Sequence, residues 1–434
     1  MRKIIFYKIT LILFSSTALL LQVSNASASD PDDIYWDVSI STPANGLNGE
    51  VLALTVYDGK LIAGGSFTLV GQDTVNYIAA WDGSTWSALG TGMNGRVSAL
   101  TVYGGQLVAG GRFDTAGGVT AEFTASWDGS SWSALGTGID IDSNSLGQNV
   151  EDLAVYNNNL IAAVSWCFGF ESCGGTLASW DDSTWSDLGL GIHDSPTDLT
   201  VYDNKLIVTG FRLYGIYIPF MASWNGSSLS TMGSIGDIRD LTVYDSKLIA
   251  GGLYTTVAEG NIASWDGASW SALGTGVDKW INALAVYENK LISAGRFNTA
   301  GGIPAKSIAS WNGFSWSALG SGMSGDVRTL TVYDSGLIVG GNINHAGGKP
   351  CAYLARWTKV GCCIGSRGDL NNDGDDANVL DLTFLVDYIF RGSGDSGPCD
   401  EESDVNRDDN SADILDLTYL VDFIFRGGPV PPGC

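Results

Sequence analysis

The sequence predicts a mainly β protein, a seven-bladed β-propeller of four-stranded blades, followed by a small α-helical domain. A phrase of the type VSALTVYGGQLVAGGRF (97–113) recurs along the chain, its tyrosine falling at Tyr57, Tyr103, Tyr156, Tyr202, Tyr244, Tyr287 and Tyr333. The composition, with 58 Gly, 15 Trp and only two His, is that of a turn-rich β protein poor in general bases. Finally, the acidic-then-apolar stretch DLNNDGDDANVLDLTFLVDYIFRG (369–392) returns 35 residues later as DVNRDDNSADILDLTYLVDFIFRG.

The chain starts with Arg2, Lys3 and Lys8, an apolar run from Ile9 to Val23, and the small residues Ala26-Ser27-Ala28. That order of charge, short apolar segment and cleavage-like site is a secretory signal, assigned to residues 1–28. The apolar run is short for a membrane span, which needs about 20 residues. The expected localisation is therefore secreted or extracellular, with retention at a cell surface through a partner. Formal net charge is −25 and the isoelectric point about 4.1, so nucleic acid and anionic lipid surfaces are disfavoured as partners.

The tyrosine spacings are 46, 53, 46, 42, 43 and 46 residues, giving seven copies. Each copy holds four short runs with strand chemistry. The first two, V-x-A-L-x-V-Y and L-I-A-G-G-x-F, are joined by a two-residue turn such as Asp58-Gly59, where glycine supplies the positive φ of a tight hairpin. A longer Gly-containing loop leads to I-A-S-W, and a second tight turn leads to W-S-A-L-G. Four antiparallel strands in about 40–50 residues make one propeller blade. The last copy stops after its third run, at Trp357, while an unpartnered Trp36-Asp37-Val38-Ser39 precedes the first. The N-terminal strand is expected to complete the last blade, leaving no open sheet edge in a domain spanning 34–358.

The glycine pairs Gly64-Gly65, Gly110-Gly111, Gly251-Gly252 and Gly340-Gly341, each with a downstream Trp, resemble kelch-type repeats. Copies three and four depart, with Ala163-Val164 and Thr209-Gly210 at the pair and Leu229 for the fourth-strand Trp. The turn Ser126-Trp127-Asp128-Gly129-Ser130-Ser131-Trp132 is similar to the Asp-box of sialidase propellers but one residue shorter, and is read as a turn device. Trp residues recurring at fixed phase are expected in the blade-to-blade core.

Binding residues are expected on the face carrying the longer, irregular loops, those between runs two and three and between blades. Aromatics that break the repeat there are Trp166, Phe168, Phe170, Tyr214, Tyr217 and Trp280, candidates for a sugar or protein ligand. His193 and His345 sit in separate copies, and no nucleophile-elbow or zinc-helix motif occurs. No catalytic residue is assigned, and the leading expectation is a non-catalytic binding module. The rival is a glycan hydrolase or lyase using loop carboxylates such as Asp140, Asp142, Glu151 and Glu171; a purely structural surface protein is the third reading. Among seven Cys, the disulfide candidates are Cys167 with Cys173, close in sequence, and Cys362, Cys363, Cys399 and Cys434, while Cys351 makes the count odd.

In the tail, side-chain oxygens follow one another at Asp369, Asn371, Asp373, Asn378 and Asp381, and again at Asp404, Asn406, Asp408, Asp413 and Asp416. A hard cation such as calcium takes six to eight oxygens from such a pattern. Leu382, Leu385, Val386, Ile389 and Phe390 then share one helical face, as do Leu417, Leu420, Val421, Ile424 and Phe425. The ion neutralises the carboxylates and lets two short helices pack. This duplicated loop and helix, with its D-L-T-x-L-V-D-x-I-F-R-G phrase, resembles a dockerin domain over residues 361–434. The resemblance implies two Ca²⁺ ions and a cohesin-type partner module, with Asn378 and Asp413 holding a bridging water and the remaining eight residues ligating directly. It also suggests a setting in polysaccharide breakdown. Both loops run 13 positions from first to last Asp where the family usually has 12, and Asp409 stands where the sharp turn normally has Gly.

Overall fold

A computed structural model describes residues 30–139, 148–168, 172–190, 195–212, 218–233, 236–253 and 260–358, together with Val386, Thr418, Leu420, Val421 and Ile424, which are helical. Residues 1–28, read from sequence as a secretory signal, and all ten calcium-binding candidates lie outside the described residues.

Seven four-stranded antiparallel sheets follow one another along the chain. The first strands of blades 1 to 6 are Val51–Tyr57, Arg96–Tyr103, Asn149–Tyr156, Ser195–Tyr202, Asp237–Tyr244 and Trp280–Tyr287, and that of blade 7 is Met323–Tyr333. Each packs beside the next, and the last packs beside the first, so these strands line the axis of a closed ring. The two-residue turns that follow them have positive φ at both positions: 49° and 70° at Asp58-Gly59, 50° and 63° at Asn157-Asn158. Only the mirror-image turn types match the twist of the flanking strands, and Gly, Asn and Asp tolerate those angles.

Ring closure occurs where the sequence places it. Trp36–Asp37 pairs antiparallel with Leu354–Trp357, Trp36 standing opposite Trp357, and supplies the missing fourth strand of blade 7. Trp36 also takes over the role of the fourth-strand Trp. Its indole N–H donates to the Leu319 carbonyl of blade 6 at 3.2 Å, as Trp132 donates to Leu89 and Trp316 to Leu273 in neighbouring pairs. Most of the Trp residues thus belong to the core between blades, several as tilted pairs such as Trp81–Trp86 and Trp311–Trp316.

The glycine pair has a steric cause. A Cβ on Gly64 would lie 2.6 Å from Val97 Cγ1 of the next blade, and one on Gly65 would lie 2.1 Å from the Glu50 carbonyl oxygen. Blades 3 and 4 dispense with the full pair because their second strands do not turn away there. Asn159–Phe168 runs on in register with Ser172–Trp180, and Lys205–Arg212 with Ile218–Trp224.

The long loops are more ordered than expected from sequence. In blades 1, 2 and 6 they fold into miniature hairpins, Leu69–Val70 with Asp73–Thr74, Thr115–Ala116 with Val119–Thr120, and Thr299–Ala300 with Ile303–Pro304. Single bridges tie them to the preceding inter-blade segment: Leu47 to Val70, Met93 to Ala116 and Val277 to Ala300. The positive φ at Gly71, Gly117-Gly118 and Gly301-Gly302 makes those tight tips.

Candidate functional site: the long-loop rim and the inner seams

Along each first strand the side chains change character from one end to the other. At the short-turn end the residue before each repeat tyrosine is valine, and all seven, from Val56 to Val332, are 37–40% exposed, an apolar collar around the axis. At the opposite end one rung is uniformly apolar and buried: Val51, Val97, Val150, Pro196, Ile238, Ile281 and Val327. The rung beyond it abandons the repeat. It pairs Arg96 with Arg112, Asn149 with Ser165, Ser195 with Phe211, Asp237 with Leu253, Trp280 with Arg296, and Asp326 with Asn342. Neighbouring blades that share a fold down to the last buried rung and then diverge are free to differ there for reasons of ligand rather than packing.

The cations segregate as well. Arg96, Arg112, Arg239, Arg296 and Arg328 sit at this long-loop end, whereas Lys60, Lys205, Lys247 and Lys290 begin the second strands at the short-turn end. Arg328 Nε lies 2.8 Å from Glu50 Oε1 across the seam between blades 7 and 1, and Arg296 Nε 3.5 Å from Asp326 Oδ1. The Arg239 guanidinium lies over the Trp280 ring, 3.9 Å from its centroid. Trp280 is thus on the rim, as the sequence suggests, but one face of its indole is already covered by a cation–π contact.

The other aromatic candidates are distributed differently. Trp166 lies on a regular ladder, opposite Gly174, half-buried and packed against the core between blades 2 and 3. Phe168 lies on the same strand, opposite Ser172; Phe170, Tyr214 and Tyr217 lie outside the described residues. Cys167 and Cys173 are direct cross-strand partners, and Cys351 is a buried free thiol, pushed up to about 12 by burial. Cys362, Cys363, Cys399 and Cys434 lie outside the described residues, as do Asp140, Asp142, Glu171 and His193. His345 Nδ1 is 2.9 Å from Asn344 Oδ1 on an exposed hairpin. Glu151 accepts a hydrogen bond from Ser165 Oγ at 2.5 Å.

Sequence reading missed a row of three carboxyls. Asp152, Asp198 and Asp240 occupy one repeat position, four before the tyrosine, in three consecutive blades; blades 1, 2, 6 and 7 have Ala53, Ala99, Ala283 and Thr329 there. Each sits at a β-bulge, and two of them accept from a leucine amide of the following blade: Leu199 N–H to Asp152 Oδ2 at 2.8 Å and Leu284 N–H to Asp240 Oδ2, while Leu241 N–H donates to Asp240 Oδ1 at 2.9 Å. Asp152 thus fastens the seam between blades 3 and 4, and Asp240 that between blades 5 and 6. Enclosure by protein raises the pKa of all three, with the neighbouring carboxylates adding to it, against the lowering effect of the amides. Asp198 Oδ2 is buried and meets no protein donor, and the neighbouring Asp240 and Asp152 carboxyls raise its pKa further.

The turns between third and fourth strands are structural. Asp128 Oδ1 accepts from the amides of Ser130 and Ser131 at 2.8 Å each, and Asp82 repeats the pattern with Ser84 and Thr85. These amide bonds hold both carboxyls below the usual range. Among the described residues no three His, Cys, Asp or Glu side chains are placed to hold a metal ion together.

The molecule is a seven-bladed propeller. No family model matches the chain, and no curated protein matches it. Among solved structures it is similar to the computationally designed Ika8 protein, at 17% identity over 73% of this chain and 99% of that one, with a TM-score of 0.43. A likeness at that level adds nothing to what the strand order already says.

Proposed function

We propose that the chain is a secreted binding protein whose propeller is a non-catalytic recognition module, tethered through a two-calcium, dockerin-like tail to a cohesin-type partner. Its setting is polysaccharide utilisation, with glycans as the ligand class of the ring. The observation that carries this reading is the rim rung, where the blades lose their common sequence just beyond the last buried layer. Two of the carboxyls that burial raises, Asp152 and Asp240, are committed to seam amides, which favours binding over catalysis.

The test is to offer the mature protein to a panel of plant, algal and microbial polysaccharides, following both retention and the release of new reducing or unsaturated ends. Retention without release is the expected result. Turnover would replace the binding module with a glycan hydrolase or lyase, and absence of both signals would leave a protein ligand instead.

A further inference from the structure

Blade 2 carries the least balanced part of the rim. Arg96 and Arg112 are directly opposed on neighbouring strands, both exposed, and neither has an acidic partner among the described residues. Like charges placed directly opposite one another destabilise a sheet, so the fold itself gives no reason for the pair. The equivalent rung in the neighbouring blades holds Asn149 with Ser165 and, in blade 1, Glu50 beside Ser66.

A second observation lies next to it. Asn149, the rim residue of blade 3, is 5% exposed, and its Nδ2 is buried with no hydrogen-bond partner. Its Oδ1 is 3.4 Å from Ser98 Oγ, and Ser98 is two residues along the strand from Arg96. A buried amide N–H₂ without an acceptor costs about 1–3 kcal/mol, and Asn149 stands at the rim rung of the blade next to the pair, tied to blade 2 through Ser98. Among the described residues, three acids of this rim are engaged elsewhere: Glu151 by Ser165, Glu50 by Arg328, and Asp114 by Asn94 and Thr115.

We infer that the seam between blades 2 and 3 at the long-loop rim binds the carboxylate of an acidic sugar, held by Arg96 and Arg112 with Asn149 Nδ2 as a further donor. The planar guanidinium fork suits a carboxylate, which it can grip with two parallel bonds. A compact single charge also fits a chain whose net charge is −25, since a multiply charged group would be repelled more strongly. This rests on the reading of the ring as a glycan-binding module and names the feature of the glycan that it recognises.

The experiment is calorimetric titration of the mature protein with an oligouronate, its methyl ester, a sulfated oligosaccharide and an acidic peptide. Retention on neutral polysaccharides is measured in parallel. The oligouronate is expected to bind, the neutral ester to bind about tenfold or more weakly, and Arg96→Gln with Arg112→Gln to cause a similar loss. The charge-matched pair Lys60→Gln with Lys247→Gln, at the short-turn end, should leave binding unchanged. Oligouronate binding that survives the arginine substitutions would overturn the inference, as would a preference for sulfate or peptide. Neutral glycans retained without any uronate binding would overturn it and spare the wider proposal; no glycan bound at all would overturn both.

Discussion

Tyr333 Oη donates to the Gly59 carbonyl at 3.3 Å across 274 residues of sequence. The same bond recurs around the ring, from Tyr103 to Asn158, Tyr156 to Asn204, Tyr202 to Ser246, Tyr244 to Asn289 and Tyr287 to Ser335. Six of the seven repeat tyrosines, all but Tyr57, therefore hold the hairpin turn of the next blade, and Tyr333 closes the circle. Tyr333→Phe should lower unfolding free energy by about 0.5–1.5 kcal/mol, the net worth of one such bond. Denaturant melts of the two proteins check it, and an unchanged midpoint would show that the bond is not holding the seam.

The N-terminal strand should matter more. Trp36 is 1% exposed, packs edge-on to Trp357 at 4.8 Å and donates to Leu319. Trp36→Ala removes all of this at the only seam where the two ends of the ring meet, and a loss of about 3–5 kcal/mol is expected. A loss under about 1 kcal/mol, the level of a surface change, would mean that the strand does not close the ring in solution.

Stability should fall as pH rises from mildly acidic to mildly alkaline. Burial, reinforced by neighbouring carboxylates, lifts Asp152 to about 6, Asp240 to about 8 and Asp198 well above the ordinary 3.8. A folded state that binds more protons than the unfolded chain is favoured at low pH. This contribution is complete below about pH 4 and is lost as pH climbs through about 6 and about 8. Melting temperature should thus be higher at pH 5 than at pH 8, and Asp198→Asn should narrow that gap by raising the value at pH 8. Equal gaps in the two proteins would contradict the assignment of this pH dependence to the buried carboxyls.

Cys167 and Cys173 should form a disulfide under oxidising conditions. Direct partners in an antiparallel ladder have Cα atoms about 4.5 or 5.5 Å apart, both within the range a disulfide spans. Peptide mass mapping without reduction should find the linked pair. Cys351 should stay unlabelled by thiol reagents until the protein unfolds, because it is 3% exposed and its thiol is held protonated. Free Cys167 in the native protein would refute the pairing.

Much of the ring was legible because its signals are local and repeated. The tyrosines mark the inner strands, paired turn residues mark the hairpins, and the half-phrase beginning at Trp36 finds its partner in the incomplete copy ending at Trp357. The long loops were misjudged as irregular because hairpins of two-residue strands are too short for any alternation to show. Trp166 looked like a loop aromatic because it follows the position where the glycine pair ends most second strands, whereas in blade 3 the ladder runs on to Phe168 opposite Ser172.

The candidate site was less legible. Asp152, Asp198 and Asp240 each sit in an unremarkable D-L-x-V-Y phrase, and only alignment of copies reveals carboxyls at one position in three successive blades. Ring geometry, which no single repeat encodes, then turns two of them into seam bonds. The opposition of Arg96 and Arg112 was hidden similarly, since it depends on strand register across 16 residues.

The proposed tether rests on the tail, which offers the clearest yes-or-no readout. Calcium should be titrated into the metal-free mature protein by calorimetry, alongside Asp381→Ala combined with Asp416→Ala. Two bound ions per chain, a gain in helicity on binding, and loss of both in the double variant are predicted. No calcium uptake, or uptake that the double variant retains, would contradict the account.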